Sequence, residues 1–421
     1  MSRIEGYAPI HPVLPASDFR ADRTIVPERR ILEDQSVTPP QFLPIGRTIF
    51  SSEHDLFRAN VRRFMQDFVI PNLDKWNRQC HPDRDVWLEA GKHGFLCVTT
   101  PEKYGGAGAD RKYSAVLIEE QQRANAAGPG FVMHSEIVAG YIERFGDEAQ
   151  KQAWLPRMAR GEVIGSLAMT EPRGGSDLRA ISTRAVVDGD DYLINGSKTF
   201  ITNGYITDLI ILAAKTEQDD GSSGLSLFLV EADRNGVSKS LPLDKVGQKA
   251  QDAAELFFDS VRIPRSNLLG RQGEGLRYLM QELAWERLMI AIRATAGCEV
   301  ALESTVDYVK SRSAFGQKLV EFQNTRFKLA ECKTKTQIAR VYIDQCIDLA
   351  SAGRLDAEAS AMAKWWCTEL QNRVLDECVQ LHGGYGYMLE YPVARAWTDA
   401  RAQMIYGGTN EIMKEIIARS F

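Results

Sequence analysis

From Ser51 to about Arg160 the apolar residues recur at spacings of three and four, the period of an amphipathic helix. SSEHDLFRANVRRFMQDFVIPNLDKW opens with a serine cap and carries acids in its first turn. RDVWLEAGKHG and SAVLIEEQQRANA repeat the theme, divided by the glycine-rich loop EKYGGAGAD, and HSEIVAGYIERFG and EAQKQAWLPRMARG are the next helix candidates. At about Val163 the period changes. VIGSLAMTE, DLRAISTRAVVDGDDYLINGSKTFITNG, DLIILAAKTE, GLSLFLVEA and AELFFDSVRIP are short β-rich runs, divided by turn signals such as Asn-Gly and Gly-Ser-Ser-Gly. They predict an antiparallel sheet, sandwich or barrel. From Gly275 onward three runs longer than the average globular helix point to a bundle.

The expected architecture is therefore an N-terminal α-helical domain over 46–162, a middle antiparallel β-domain over 163–270 and a C-terminal four-helix bundle over 271–421. The stretch 1–45 is proline-punctuated, lacks helical periodicity and reads as an extended or disordered arm. It has no apolar core of a secretory signal, and its mixture of acids with arginines argues against a mitochondrial leader. No βαβ alternation and no GxGxxG occur, which speaks against a dinucleotide-binding α/β domain.

Composition changes this picture little. The 421 residues are 44% hydrophobic and 25% charged with a net charge of −5, the balance of a globular protein. No basic run suggests nucleic acid. No apolar stretch reaches the roughly 18 residues of a membrane span. Seven scattered cysteines without a CxxC read as reduced core thiols, and six histidines without HxH or HExxH leave no metal site.

Four stretches carry candidate chemistry. In LAMTEPRGGSDL (Leu167 to Leu178), proline followed by glycines exposes backbone N–H groups that could bond a flat, acceptor-rich heterocycle, or the segment could be a turn joining two strands. In GSKTFITNG, Phe200 two residues before Thr202 could pack on a ring and bond it, or be sheet core. In SRSAFGQ and EFQ, Arg312 could pair a diphosphate, or be an exposed helix-end arginine. In VQLHGGYGYMLEYPV, Gly383 and Gly384 are first a helix C-cap, and their amides with Gln380 could also receive a diphosphate.

Together and in this order, MTEPxxGSD, GSKxFITNG, RxAFG, QLHGGYGYxxEYP and IYGGTNE resemble the signatures of the acyl-CoA dehydrogenase family, from about residue 50 to the C-terminus. SSEHDLFR, GPGFVMHSEIV, KAQDAAELFFDSVRIP and IYGGTNEIMKE resemble its long-chain subgroup most. The resemblance implies FAD as cofactor and an acyl-CoA dehydrogenase-like fold. Leu167, Met169, Thr170 and Ser176 would lie on the flavin, with Phe200 and Thr202 on its other side. Arg312, Phe315 and Gln323, with Gln380, Leu381, His382, Gly383 and Gly384, would hold the FAD diphosphate and adenosine across a subunit interface. Thr409, Asn410 and Glu411 would close over the cofactor. Ser176, Arg287 and Gly408 would meet the substrate. The resemblance also implies a homotetramer, a dimer of dimers, that passes electrons to electron-transferring flavoprotein. The compartment would be the cytoplasm in a bacterium or the mitochondrial matrix in a eukaryote. Arg173 departs from the commoner glycine of this loop.

The implied reaction is α,β-dehydrogenation of an acyl-CoA thioester to the trans-2-enoyl product. It needs a carboxylate to take the α-proton and donors to polarise the thioester carbonyl. Where the family often carries that carboxylate, in IYGGT, this chain has Gly407, whose backbone N–H could still act as the oxyanion donor. The candidate replacement is Glu286 in QELAWERLMIA. At about 100° per residue it lies within about 60° of Leu283 and about 40° of Ile290. It is therefore expected to point with the buried stripe and not with Arg277 or Glu282. Read from spacing alone, Glu286 could also be a structural partner of Arg287; the long-chain and isovaleryl-type members imply the base at this position. A small residue at 407 would leave room for a branched α-carbon. Alternatives are a branched short-chain, isovaleryl-type dehydrogenase and an acyl-CoA oxidase.

Overall fold

The computed structural model describes residues 42–217 and 221–421. The arm expected over 1–45 lies, but for its last four residues, outside the described residues.

The N-terminal helices are α1 (Ser52–Phe64), α2 (Leu73–Gln79), α3 (Asp85–Lys92), α4 (Arg111–Arg123), α5 (Ala139–Phe145) and α6 (Glu148–Ala159). Ser51 caps α1 as expected, and its N–H donates to His54 Nδ1 at 3.1 Å. The first predicted helix is interrupted: Met65–Val69 widens to a π-turn and Ile70–Asn72 tightens to a 3₁₀ turn before α2. Pro71 lacks an N–H and cannot continue the ladder.

The middle segment forms β1 (Gly165–Ala168), β2 (Arg184–Asp188), β3 (Asp191–Thr202), β4 (Leu209–Glu217), β5 (Ser223–Glu231), β6 (Val237–Lys239), β7 (Ala253–Pro264) and β8 (Leu268–Leu269). They make one sheet in the order β6-β7-β3-β2-β4-β5-β8, with β1 added beside β4. The antiparallel expectation needs correction at one place: β1 runs parallel to β4, and β2 touches β4 in parallel at Arg184 and Lys215. The continuous apolar run of β4 has a physical reason. Leu209, Ile211 and Ala213 join the core shared with the helices, whereas Ile210, Leu212 and Ala214 join a second core inside the sheet domain. Successive side chains face opposite sides, so a strand covered on both faces loses its polar alternation.

The C-terminal part holds α7 (Gly275–Ser311), α8 (Gln323–Ser351), α9 (Ala357–His382), α10 (Pro392–Ala400) and α11 (Asn410–Ala418). The first of these ends at Ser311, with Arg312 extended (φ −78, ψ 134), and a two-stranded hairpin of β9 (Ser313–Ala314) and β10 (Gln317–Lys318) follows. Buried ion pairs tie this part to the N-terminal helices. Arg340 on α8 is 1% exposed and donates to Glu119 on α4 at 2.8 Å and to Glu299 on α7 at 2.6 Å. Arg47 and Arg58 reach the other Glu119 oxygen at 2.8 and 2.9 Å. Burial alone would push Glu119 up, but Arg47, Arg340 and Arg58 outweigh it and hold its carboxyl far below the usual range. No helix among the described residues is long and apolar enough to cross a membrane.

Candidate active site

Glu286 sits in the first half of α7, and its residue is 8% exposed. Tyr141 on α5 donates its hydroxyl to Glu286 Oε1 at 3.0 Å. Among the described residues no hydrogen bond is made to Oε2. Burial pushes the carboxyl up to about 7, the Tyr141 bond works against this, Glu282 adds to it and Arg287 opposes it. A carboxyl in that range accepts and releases a proton near neutral pH. One expectation fails beside it. Glu282 does not point away from the buried side: it too is 8% exposed, paired with Arg144 at 2.8 Å. Four residues on a helix turn through about 400°, so the two acids share a face.

The turn before α11 faces this helix. Gly407 and Gly408 take φ of +67° and +86°, the left-handed region that glycine enters without penalty. A Cβ built on Gly407 would run into Cδ1 of Ile290, one helical turn beyond Glu286. The space that a side chain at 407 would take is thus already filled by Ile290. Thr409 is the N-cap of α11, and its hydroxyl accepts from Ile412 N at 3.4 Å. Asn410 is turned inward: its Oδ1 accepts from Lys364 Nζ at 3.0 Å and its Nδ2 donates to Thr368 at 3.1 Å. Any contact it makes to a cofactor falls to its backbone. Glu411 is exposed.

The loop after β1 is clamped from below. Burial pushes Glu171 up, but Lys198, Ser182 and Thr183 outweigh it and hold its carboxyl down at about 2. Its oxygens accept from Lys198 Nζ at 2.8 Å, from the Ser182 N–H and hydroxyl at 2.7 and 2.6 Å, and from those of Thr183 at 2.9 and 2.6 Å. Lys198 also donates to the Met169 carbonyl at 3.0 Å, and Thr199 N–H donates to the Thr170 carbonyl at 2.9 Å. These bonds place Met169 and Thr170 beside Lys198 and Thr199 on β3, next to Phe200. Leu167 is buried within β1, and Ser176 is exposed. Phe200 stands 68% exposed at φ +58°, a large ring without protein cover.

A second group forms at the end of α9. Tyr308, Arg312, Gln380, Leu381, Gly383 and Gly384 line a cavity of about 470 Å³. Gly383 has φ +59°, and a Cβ on either glycine would meet no protein atom, so the backbone lies open to a group approaching from the cavity. The Arg312 guanidinium lies 5.6 Å from the Tyr385 ring centre. His382 belongs to the wall: Nδ1 lies 2.8 Å from the Cys378 carbonyl and its ring stacks on Tyr308 at 4.2 Å. Phe315 and Gln323 do not line this cavity. Phe315, at the tip of the β9–β10 hairpin, is 97% exposed, and Gln323 is exposed at the start of α8. Among the described residues no hydrogen bond, ion pair or ring contact joins this group to the loop after β1.

These features fit FAD. Uncovered aromatic rings beside a glycine loop suit a flat heterocycle, and open glycine backbone beside an arginine suits a diphosphate. Arg287 is buried beside Glu286 with its Nε unpartnered, whereas Ser176 is exposed. Sequence reasoning missed Tyr141, which lies in a predicted helix with no distinguishing pattern. It also missed Lys364, for which a signal existed: a single charge between Ala361-Met362-Ala363 and Trp365-Trp366-Cys367.

The chain matches three family models: acyl-CoA dehydrogenase N-terminal domain over 51–162, middle domain over 166–261 and C-terminal domain over 273–421. It is 51% identical over 375 residues to the mouse mitochondrial long-chain specific acyl-CoA dehydrogenase, covering 89% of this chain and 87% of that one. An acyl-CoA dehydrogenase structure from Geobacillus kaustophilus aligns with a TM-score of 0.86 at 46% identity, over 89% of this chain and 99% of that one. A glutaryl-CoA dehydrogenase from Mycobacterium smegmatis, in complex with FADH2, aligns with a TM-score of 0.83 at 28% identity, over 88% of this chain and 95% of that one. With the three family models in order along the chain and half of its residues shared with a relative over most of its length, the chain belongs to the acyl-CoA dehydrogenase family and is an FAD-dependent oxidoreductase.

Proposed function

We propose that this enzyme dehydrogenates long, straight-chain acyl-CoA thioesters, with Glu286 as the base. The observation that carries the reading is the buried Glu286 carboxyl on α7, one helical turn before Ile290, whose side chain lies against the glycine turn at 407. Tyr141 holds Oε1, which leaves Oε2 to take the α-proton. Burial keeps that carboxyl neutralisable near pH 7, so it can receive the proton and later release it. The Gly407 N–H would donate to the thioester oxygen and stabilise the charge that develops there as the α-proton leaves. FAD supplies the acceptor for the β-hydride. Leu167 to Ser176, Phe200 and Thr202 would hold its ring system. Arg312, Gln380, Gly383 and Gly384 would take the diphosphate, with Phe315 and Gln323 reaching a neighbouring subunit's cofactor.

Ile290 beside Gly407 would crowd an α-methyl group placed there, and this favours linear chains over branched ones. Two groups of candidate cofactor residues, separate within one chain, support a dimer-based assembly; we infer a homotetramer, a dimer of dimers. Electron-transferring flavoprotein is the inferred electron acceptor. Residence would be cytoplasmic in a bacterium and in the mitochondrial matrix in a eukaryote. The division at 46, 163 and 271 is retained as the proposed domain plan.

Anaerobic titration of the holoenzyme with saturated acyl-CoAs of several lengths, and with 2-methyl and isovaleryl thioesters, tests the proposal. The flavin band should bleach most readily with long linear substrates. Preferential bleaching by isovaleryl-CoA would overturn the substrate reading.

A further inference from the structure

An oxyanion donor must be held in one orientation to act, and a glycine pair is the least rigid pair of residues to carry it. The turn at Gly407 is pinned from both sides. On the N-terminal side, the Ile405 and Tyr406 amides donate to the Ala402 carbonyl at 2.9 and 3.2 Å. On the C-terminal side, a lysine side chain does the work. Lys364 Nζ, from α9, donates to the Gly408 carbonyl at 2.8 Å and to Asn410 Oδ1 at 3.0 Å. Asn410 Nδ2 donates to Thr368 Oγ1 at 3.1 Å, and that hydroxyl donates back to the Lys364 carbonyl at 2.8 Å. The loop of bonds is closed and buried.

Lys364 is fully buried, and among the described residues no carboxylate forms an ion pair with it. Burial and Arg287 on α7 push its ammonium down to about 8, while Glu411 on α11 opposes them. A buried cation whose partners are amide and carbonyl oxygens is an expensive way to dock a helix; an apolar side chain would do that. It is an effective way to fix a peptide, because one buried ammonium bonded both to the Gly408 carbonyl and to Asn410 holds the two in a set relation.

We propose that Lys364 is a positioning residue: it fixes the Gly408 peptide and through it aims the Gly407 N–H at the substrate's thioester carbonyl. The inference rests on the reading of Gly407 as the polarising amide. The alternative is that Lys364 only docks α11 on α9.

The test uses the holoenzyme with Lys364→Met, Lys364→Gln and Lys364→Arg. Three quantities are measured: kcat and KM on a saturated long-chain acyl-CoA; the long-wavelength flavin band with a 3-thia-acyl-CoA, which can lose its α-proton but is not dehydrogenated; and amide hydrogen exchange over 405–410. Lys364→Met should lower kcat roughly tenfold to a hundredfold, as expected when a reacting group is misplaced by a fraction of an ångström. KM should change little, the analogue band should weaken at fixed pH, and exchange should quicken at the turn. Lys364→Gln, whose amide can still donate to Gly408, should recover part of kcat and of the band, and it serves also if the methionine variant fails to fold. A lower melting temperature with kcat and the analogue band unchanged would overturn the positioning role and leave the docking role. If the unmodified enzyme gives neither turnover nor an analogue band, the dehydrogenase reading itself falls, and this inference with it.

Discussion

Ile290 Cδ1 occupies the place where a Cβ on Gly407 would stand. Ile290 lies one turn beyond Glu286 on α7, so the glycine on the C-terminal turn packs against the helix that carries the acid. A side chain at 407 and the Ile290 side chain therefore compete for the same space.

Replacing Glu286 by Gln should preserve folding, FAD binding and acyl-CoA binding while nearly all turnover disappears. Gln keeps the size and can still accept the Tyr141 hydroxyl at its amide oxygen, but it cannot take a proton. Stopped-flow bleaching of the flavin measures it, and turnover close to the unmodified rate would remove Glu286 from the role of base.

The pH dependence follows from the neighbours. With Glu286 at about 7, kcat/KM should rise with pH through that region as the carboxylate forms. Tyr141 stabilises the ionised form, so Tyr141→Phe should move the rise to higher pH. Glu282 destabilises it, so Glu282→Gln should move the rise to lower pH. Shifts in the opposite directions would contradict the electrostatic account.

Stability should respond in the reverse sense to activity. A buried carboxyl raised from 4.5 to about 7 binds its proton more tightly in the folded state than in the unfolded one. Its contribution is neutral below about pH 4.5, becomes unfavourable between the two values and is fully so above about 7. Glu286→Gln should therefore be more stable than the unmodified protein at pH 8, by as much as roughly 3 kcal/mol, and show little difference at pH 4.5. Urea melts at the two pH values check this.

Moving the base to the turn needs room. Glu286→Gly with Gly407→Glu places a side chain at φ +67° against Ile290, with about 1–2 kcal/mol of backbone strain besides the clash. The double variant should recover little activity over Glu286→Gly, and adding Ile290→Ala should raise it. Ile290→Ala alone should increase the relative rate on 2-methyl acyl-CoA. Equal rates with and without Ile290 would show that this side chain does not border the α-carbon.

The Arg340 network is a stability device. Arg340→Leu leaves Glu119 and Glu299 short of a buried partner and should cost about 3–5 kcal/mol in denaturant melts, without a matching loss of kcat in the protein that remains folded. Because Glu119 titrates far below the usual range in the folded state, its contribution is present above pH 4.5 and is lost progressively as pH falls below that value.

Much of the architecture, and the burial of Glu286, were legible in the amino-acid order. Helical and strand periods are local, so the α–β–α succession could be read directly, whereas Glu286 became the candidate base through the family resemblance, which gave the missing side chain at 407 its meaning. The flavin loop and the glycines at 383 and 384 were legible as motifs. What periodicity could not supply is what packs around a helix from far along the chain. Glu282 is buried because α5 comes against α7, Tyr141 meets Glu286 from a position 145 residues away, and Lys364 reaches Gly408 across 44 residues. Spacing reports how residues on one helix face each other; burial, and with it every perturbed carboxyl and seated ammonium in this site, is set by which other elements close over that face. The order of residues determined that an acid stands on α7 and that none stands at 407. Only the tertiary structure decided that Ile290 fills the vacant place, that Tyr141 holds the acid and that Lys364 holds the turn.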